Sequence, residues 1–133
     1  MVDRILIVDD TPEARVLLRI LLTSKADFIV LEAANGVEAL QQAQANPPPD
    51  LIILDYMMPD LDGPELLTQM RQIPALANIP VIILTARTDP KAREQSMKAG
   101  ANRFIIKPIK PLDLLTEVQT LLAQHKTTAT GQG

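Results

Sequence analysis

Several residue types are scarce in this chain, and each scarcity closes off a class of chemistry. There is no cysteine, which excludes disulfides and thiol nucleophiles and fits a reducing compartment such as the cytoplasm. With no tryptophan, one tyrosine and two phenylalanines, any core must be aliphatic. No apolar run approaches the ~18 residues of a membrane span. The N-terminus, Met1-Val2-Asp3-Arg4, has no basic segment ahead of a long apolar one. An excess of basic charge is missing too: the net charge is −3, which argues against binding a phosphate backbone. The one histidine, His125, lies near the C-terminus, away from every motif described below.

What the chain does have is a repeated alternation. Short unbroken apolar runs occur at residues 5–8, 28–31, 51–54, 81–84 and 104–106, the pattern of strands buried on both faces. Between them, apolar residues recur at helical spacing. Thr11 is placed to cap a first helix with Pro12 at its first position, and Ala14, Leu17, Leu18, Leu21 and Leu22 form its stripe. Val16 and Ile20 either widen that stripe or belong to a docking surface. Val37, Leu40 and Ala43 mark a second helix after the Asn35-Gly36 turn, and Leu66, Leu67 and Met70 a third over about 64–72. A fourth runs over about 90–99 and stops at Gly100. A fifth, over about 111–124, is expected to bury Leu112, Leu115, Val118, Leu121 and Leu122. Asn46-Pro47-Pro48-Pro49-Asp50 is a stiff connector that cannot continue a helix.

At 133 residues, with 47% hydrophobic and 22% charged content, the chain suits one globular domain. The strict alternation predicts an α/β fold, a five-stranded parallel sheet with five helices on both faces. Right-handed crossovers make 2-1-3-4-5 the expected order, the flavodoxin-like doubly wound arrangement. Residues 1–124 are read as this domain. Residues 125–133 lack apolar periodicity and are expected to be a disordered tail.

The predicted order sets the ends of strands one, three and four side by side, where open α/β sheets place their chemistry. Those ends are polar: Asp9 and Asp10, then Asp55, then Thr85, with Lys107 ending the fifth strand. Taken singly, Asp55 is equally a strand-end cap for a nearby N–H, and Thr85 a filler. Converging, they define a cleft in which carboxylates repel. A pair ~4 Å apart costs about 4 kcal/mol at an effective dielectric near 20. Lys107 and a divalent cation would offset this. With only oxygen ligands the cation is hard, Mg2+ or Mn2+ as a substitute. Such an ion presents its open positions to a phosphate, which suggests phosphoryl transfer. Asp55 is then the nucleophile, Lys107 and the ion neutralise the transferring group, and the Thr85 hydroxyl donates to one of its oxygens.

These elements together resemble the receiver domain of the two-component response regulators over about residues 3–124. The matching stretches are Ile7-Val8-Asp9-Asp10, Leu54-Asp55-Tyr56-Met57-Met58-Pro59 with Asp62-Gly63, Leu84-Thr85-Ala86, Ala99-Gly100-Ala101 and Lys107-Pro108. The resemblance implies that Asp55 takes a phosphoryl group from a phosphohistidine on a histidine kinase or a histidine phosphotransfer protein. It makes Asp10 the direct Mg2+ ligand, Asp9 a helper acting mostly through water, and the backbone carbonyl of Met57 a further ligand. Pro108 is expected after a cis bond. Thr85 and Phe104 become the switch pair, the aromatic turning into space that Thr85 vacates. Read alone, Phe104 is a core residue, and without a hydroxyl its inward state rests on packing. Met57 and Arg87 are expected to limit water attack on the acyl phosphate.

The chain ends after the fifth predicted helix, so no effector domain is expected, and output is expected through another protein. Asn102-Arg103 stands where DNA-binding members that dimerise through the fourth and fifth helices carry an acidic pair, which speaks against that dimer. The expected state is a monomer or weak dimer touching neither nucleic acid nor membrane. Its chemistry would be limited to its own phosphorylation and dephosphorylation, so it is not an enzyme in the ordinary sense. Two rival readings are a constitutive protein-interaction module on the same scaffold and an enzyme on the same fold. The second is disfavoured. An aspartyl-phosphate hydrolase usually has a second Asp where this chain has Met57, and a flavin carrier needs a Ser/Thr/Gly loop where it has Asp9-Asp10.

Overall fold

The five aliphatic runs form the five strands of one sheet. In the computed structural model, which describes residues 2–131, the chain alternates β1 (Arg4–Val8), α1 (Pro12–Ser24), β2 (Ile29–Ala33), α2 (Gly36–Ala43), β3 (Leu51–Asp55) and α3 (Gly63–Arg71). A 3₁₀ turn (Pro74–Leu76) leads into β4 (Val81–Thr85), α4 (Pro90–Ala99), β5 (Arg103–Ile106) and α5 (Pro111–Gly131). The strand order is 2-1-3-4-5 and every adjacent pair is parallel.

Alternate side chains on each central strand point to opposite faces, so the apolar runs supply two cores. Leu6, Val8, Ile52, Leu54 and Ile83 pack with Leu66, Leu67 and Met70 of α3 and Ala92 of α4. Ile5, Ile7, Ile53, Ile82 and Leu84 pack with Leu22 of α1 and Val118 of α5. Each fully buried aliphatic side chain is worth ~1.5–3 kcal/mol, so sheet burial rather than helix propensity holds this domain. Three helices are capped by side chains: Asn35 accepts from Glu38 N, Asp62 from Glu65 N and Asp89 from Ala92 N. Thr11 stands at the N-cap of α1 but makes no capping bond with its side chain. Gly100 closes α4 in the left-handed region, φ 109°.

Three expectations change. Leu17 and Leu112, assigned to buried stripes, are 68% and 62% exposed. Both lie in the N-terminal parts of their helices, beside the C-terminal strand ends, where the sheet no longer runs beneath them. The helix expected to end near Gln124 continues to Gly131, through residues where a disordered tail was expected. No proline or glycine interrupts residues 112–130, and Lys126 Nζ reaches Asp3 Oδ2 at 2.9 Å. Residues 132 and 133 lie outside the described residues. Among the described residues no helix is long and apolar enough to cross a membrane.

Candidate functional site

Register places the acids. Val8 pairs with Leu54 and Asp55 with Leu84, so β1, β3 and β4 stop at nearly the same level and their following residues share one rim. Asp9 is only 4% exposed. Its backbone N–H donates to Ala33 O at 3.1 Å, and its Oδ1 accepts from Thr11 N at 2.8 Å, so half of this carboxylate shapes the turn. Asp10 is exposed and Asp55 partly buried. One oxygen from each of the three lies within 4.8 Å of the others.

Lys107 Nζ stands 3.6 Å from Asp55 Oδ1 and 3.7 Å from Asp9 Oδ2. One lysine against three carboxylates leaves the cluster short of positive charge. Burial is the largest effect on the Asp55 carboxyl and pushes its pKa up to about 6, against the pull of Lys107 and with added repulsion from Asp9 and Asp10. The donor set fits a hard cation. Three carboxylate oxygens within 4.8 Å of one another are close enough to be drawn onto one small ion whose oxygen ligands lie at about 2.1 Å.

Thr85 is the last residue of β4 and is buried. Its Oγ1 accepts from Arg87 N at 3.0 Å; among the described residues no acceptor takes its own proton, which stays free to donate. Its carbonyl accepts from Lys107 N at 2.7 Å, so the ends of β4 and β5 are locked together and carry Lys107 to the rim. The Lys107–Pro108 peptide is cis. Phe104 faces inward, packed in the core shared with Ile83 and Ala101; the Arg93 guanidinium carbon is 6.0 Å from its ring centroid. Met57 opens the β3–α3 loop with its side chain 57% exposed. That loop closes tightly, Gly63 N donating to Tyr56 O at 2.7 Å. A Cβ on Gly63 would meet Asp55 O at 2.9 Å, so only glycine permits this approach.

Tyr56 has a role that the sequence reading did not assign. It is buried beside Asp55, and its hydroxyl donates to Gln95 Oε1 of α4 at 2.9 Å. Burial raises its pKa. The Arg87 guanidinium lies over its ring, 5.1 Å from the centroid, and is bidentate to Asp89 at 2.9 Å for each bond. A lone tyrosine directly after a candidate nucleophile, in a chain this poor in aromatics, was the available signal.

A doubly wound sheet whose central strands β1 and β3 end in converging acids, with a lysine reaching them from the end of the edge strand β5, defines a class: α/β domains with an acidic pocket at the switch point. A family model described as the response regulator receiver domain matches residues 5–119, and the chain belongs to that family, the receivers of two-component systems. It is 38% identical over 115 residues to a 14.6 kDa protein of Leptolyngbya boryana, covering 86% of each. It is 39% identical over 127 residues to the transcriptional regulatory protein ResD of Bacillus subtilis, covering 95% of this chain but 50% of ResD. The chain therefore spans about half the length of that larger regulator. Among solved structures, a CheY-like response regulator receiver domain protein from Methanospirillum hungatei superposes with a TM-score of 0.89 at 28% identity, covering 96% of this chain and 99% of that one.

Proposed function

We propose that the chain is a response regulator that accepts a phosphoryl group on Asp55 from a phosphohistidine of a histidine kinase or phosphotransfer protein, and that this changes its binding to a downstream protein. The observation that carries the reading is the convergence of Asp9, Asp10 and Asp55 oxygens within 4.8 Å, with Lys107 Nζ 3.6 Å from Asp55. In the transfer, an Asp55 carboxylate oxygen attacks phosphorus in line with the P–N bond. That bond breaks, and the imidazole, already protonated on its other ring nitrogen, leaves as the neutral ring. Asp10, Asp55 and the Met57 carbonyl would hold Mg2+ (or Mn2+), with Asp9 acting through water. Bound there, the ion would supply positive charge to the phosphoryl oxygens. Lys107 moves from shared carboxylates onto a phosphoryl oxygen, and Thr85 donates its free proton to another.

Drawing Thr85 inward shifts the loop that Arg87 shares with Asp89, and with it α4 and the packing around Phe104. Catalysis on this reading is confined to the chain's own phosphorylation and dephosphorylation, in the cytoplasm where ATP-fed kinases make phosphohistidine. The test is incubation with Mg2+ and acetyl phosphate or beryllofluoride, wild type against Asp55→Ala. A single adduct on the wild type alone supports the reading. No adduct would favour a constitutive interaction module, and continuous turnover an enzyme.

A further inference from the structure

The β3–α3 loop, which carries the Met57 carbonyl, is fastened at a point outside the carboxylate cluster. Asp60 reaches across to the N-terminus of α2. Gly36 N lies 3.0 Å from each of its carboxylate oxygens and donates to both, while Val37 N donates to Oδ2 at 3.3 Å. Leu61 N donates to Oδ1 at 2.9 Å. These bonds, Gly36 foremost, hold the Asp60 carboxyl below the usual range. Among the described residues, Met57 to Leu61 make no backbone-to-backbone bond with another element, so this carboxylate is the loop's polar anchor. The joint is tight: a Cβ on Gly36 would lie 3.0 Å from Leu61 Cδ1 and 3.2 Å from Asp60 Oδ2.

We infer that Asp60 is a positioning residue for the cation site, setting the Met57 carbonyl at its working height before the ion arrives. The inference rests on the function proposed above. Ordering a free loop costs conformational entropy for every residue fixed; a loop already docked on α2 brings its carbonyl without that cost. Partners lying behind metal ligands typically change affinity 10- to 100-fold. A backbone ligand in a loop still held at both ends belongs near the lower figure.

The test is a Mg2+ titration followed by the fluorescence of Tyr56, the one tyrosine of a chain without tryptophan. Wild type, Asp60→Ala, Asp60→Asn and Gly36→Ala are compared, each with a melting curve. Gly36→Ala disturbs the same joint from the other side and removes no charge. Asp60→Ala and Gly36→Ala are expected to weaken Mg2+ binding roughly 10-fold, while the rate of phosphorylation by acetyl phosphate at saturating Mg2+ stays close to wild type. If Asp60→Asn, which keeps an acceptor oxygen for Gly36 and Leu61 but loses the charge, weakens binding as far as Asp60→Ala, the effect is the charge and the positioning role is wrong. If Asp60→Ala and Gly36→Ala both bind Mg2+ like wild type and only melt earlier, the joint is merely structural, which also overturns it. A wild type that binds no Mg2+ would sink this inference together with the proposed function.

Discussion

The Tyr56 hydroxyl donates to the Gln95 carboxamide at 2.9 Å, joining the residue after Asp55 to the middle of α4. A second tie runs beside it. Thr85 is held by the Arg87 N–H, and the Arg87 side chain spans Tyr56 and Asp89, the N-cap of α4. The neighbours of the candidate nucleophile and of the Thr85 hydroxyl therefore converge on one helix.

Removing the hydroxyl should loosen that helix. Tyr56→Phe keeps the ring beneath Arg87 but leaves the Gln95 carboxamide without its partner, a loss of about 1 kcal/mol. Amide exchange across α4 should speed up while β3 stays protected. Unchanged exchange over residues 92–98 would mean that the bond does not steady α4.

Asp55 should make the cation-free protein sensitive to pH. Its folded pKa of about 6 exceeds the ordinary 3.8, so the folded state binds more protons than the unfolded one between these values. Stability then falls as pH rises from about 4 to 6, by up to roughly 3 kcal/mol. Asp55→Asn removes the ionisation. Without Mg2+ it should melt several degrees above wild type at pH 7.5 and with it at pH 4. Mg2+ should raise the wild-type melting temperature more than that of the variant. Parallel melting curves across pH would show that ionised Asp55 carries no such cost.

The acids and the lysine were legible because chain order and strand ends fix them. An apolar run stopping at Asp9 or Asp55 says where a strand ends, and the handedness of crossovers says which ends are neighbours. Asp60, Gln95 and Arg71 were not legible. Arg71 donates to Leu76 O, Ile79 O and Gly100 O at 2.7–2.9 Å, pinning the end of α4 from the neighbouring α3, yet in sequence it is one more charged helix residue. Such bonds join residues 5 to 39 positions apart and follow no period. Leu17 failed for a related reason. Periodicity says which side of a helix is apolar, but not where along its length the sheet stops.

Lys107 should matter more for rate than for folding. Its ammonium is partly exposed and contacts the carboxylates at more than 3.5 Å, so a truncated variant remains folded. Loss of a preorganised charge aimed at the transferring group typically costs about 10²-fold or more in rate. Lys107→Ala should show that loss in phosphorylation by acetyl phosphate. Because Lys107 lowers the Asp55 pKa, the carboxyl signal of Asp55 should also titrate above its wild-type midpoint. A variant phosphorylated at the wild-type rate would remove Lys107 from the chemistry.

Thr85 separates acceptance from response. Thr85→Ala leaves Asp55 and Lys107 in place, so beryllofluoride should still bind. The hydroxyl that links the phosphoryl site to Arg87 is gone, however, so adduct-induced NMR shifts at Arg87 to Ala92 and at Phe104 should shrink sharply. Full-sized shifts in the variant would show that the signal reaches α4 by another route, the Tyr56–Gln95 bond being the available one.

On the proposed function, the lifetime of an acyl phosphate on Asp55 would be set by what stands where water must attack. Met57 offers an exposed thioether stem and no group to orient a water molecule, and the Arg87 guanidinium is occupied by Asp89 and the Tyr56 ring. Hydrolysis requires a positioned water in line with the scissile bond, and positioning groups contribute orders of magnitude to such steps. The phosphorylated protein should therefore persist well beyond seconds with Mg2+ present. Met57→Asn, which places a carboxamide beside the acyl phosphate, should shorten that lifetime severalfold, followed by loss of the phosphoprotein on intact mass spectrometry. Arg87→Ala should change the lifetime less, since the guanidinium is already engaged by Asp89 and the Tyr56 ring. A wild-type half-life of seconds would show that water reaches the phosphorus unaided by either side chain.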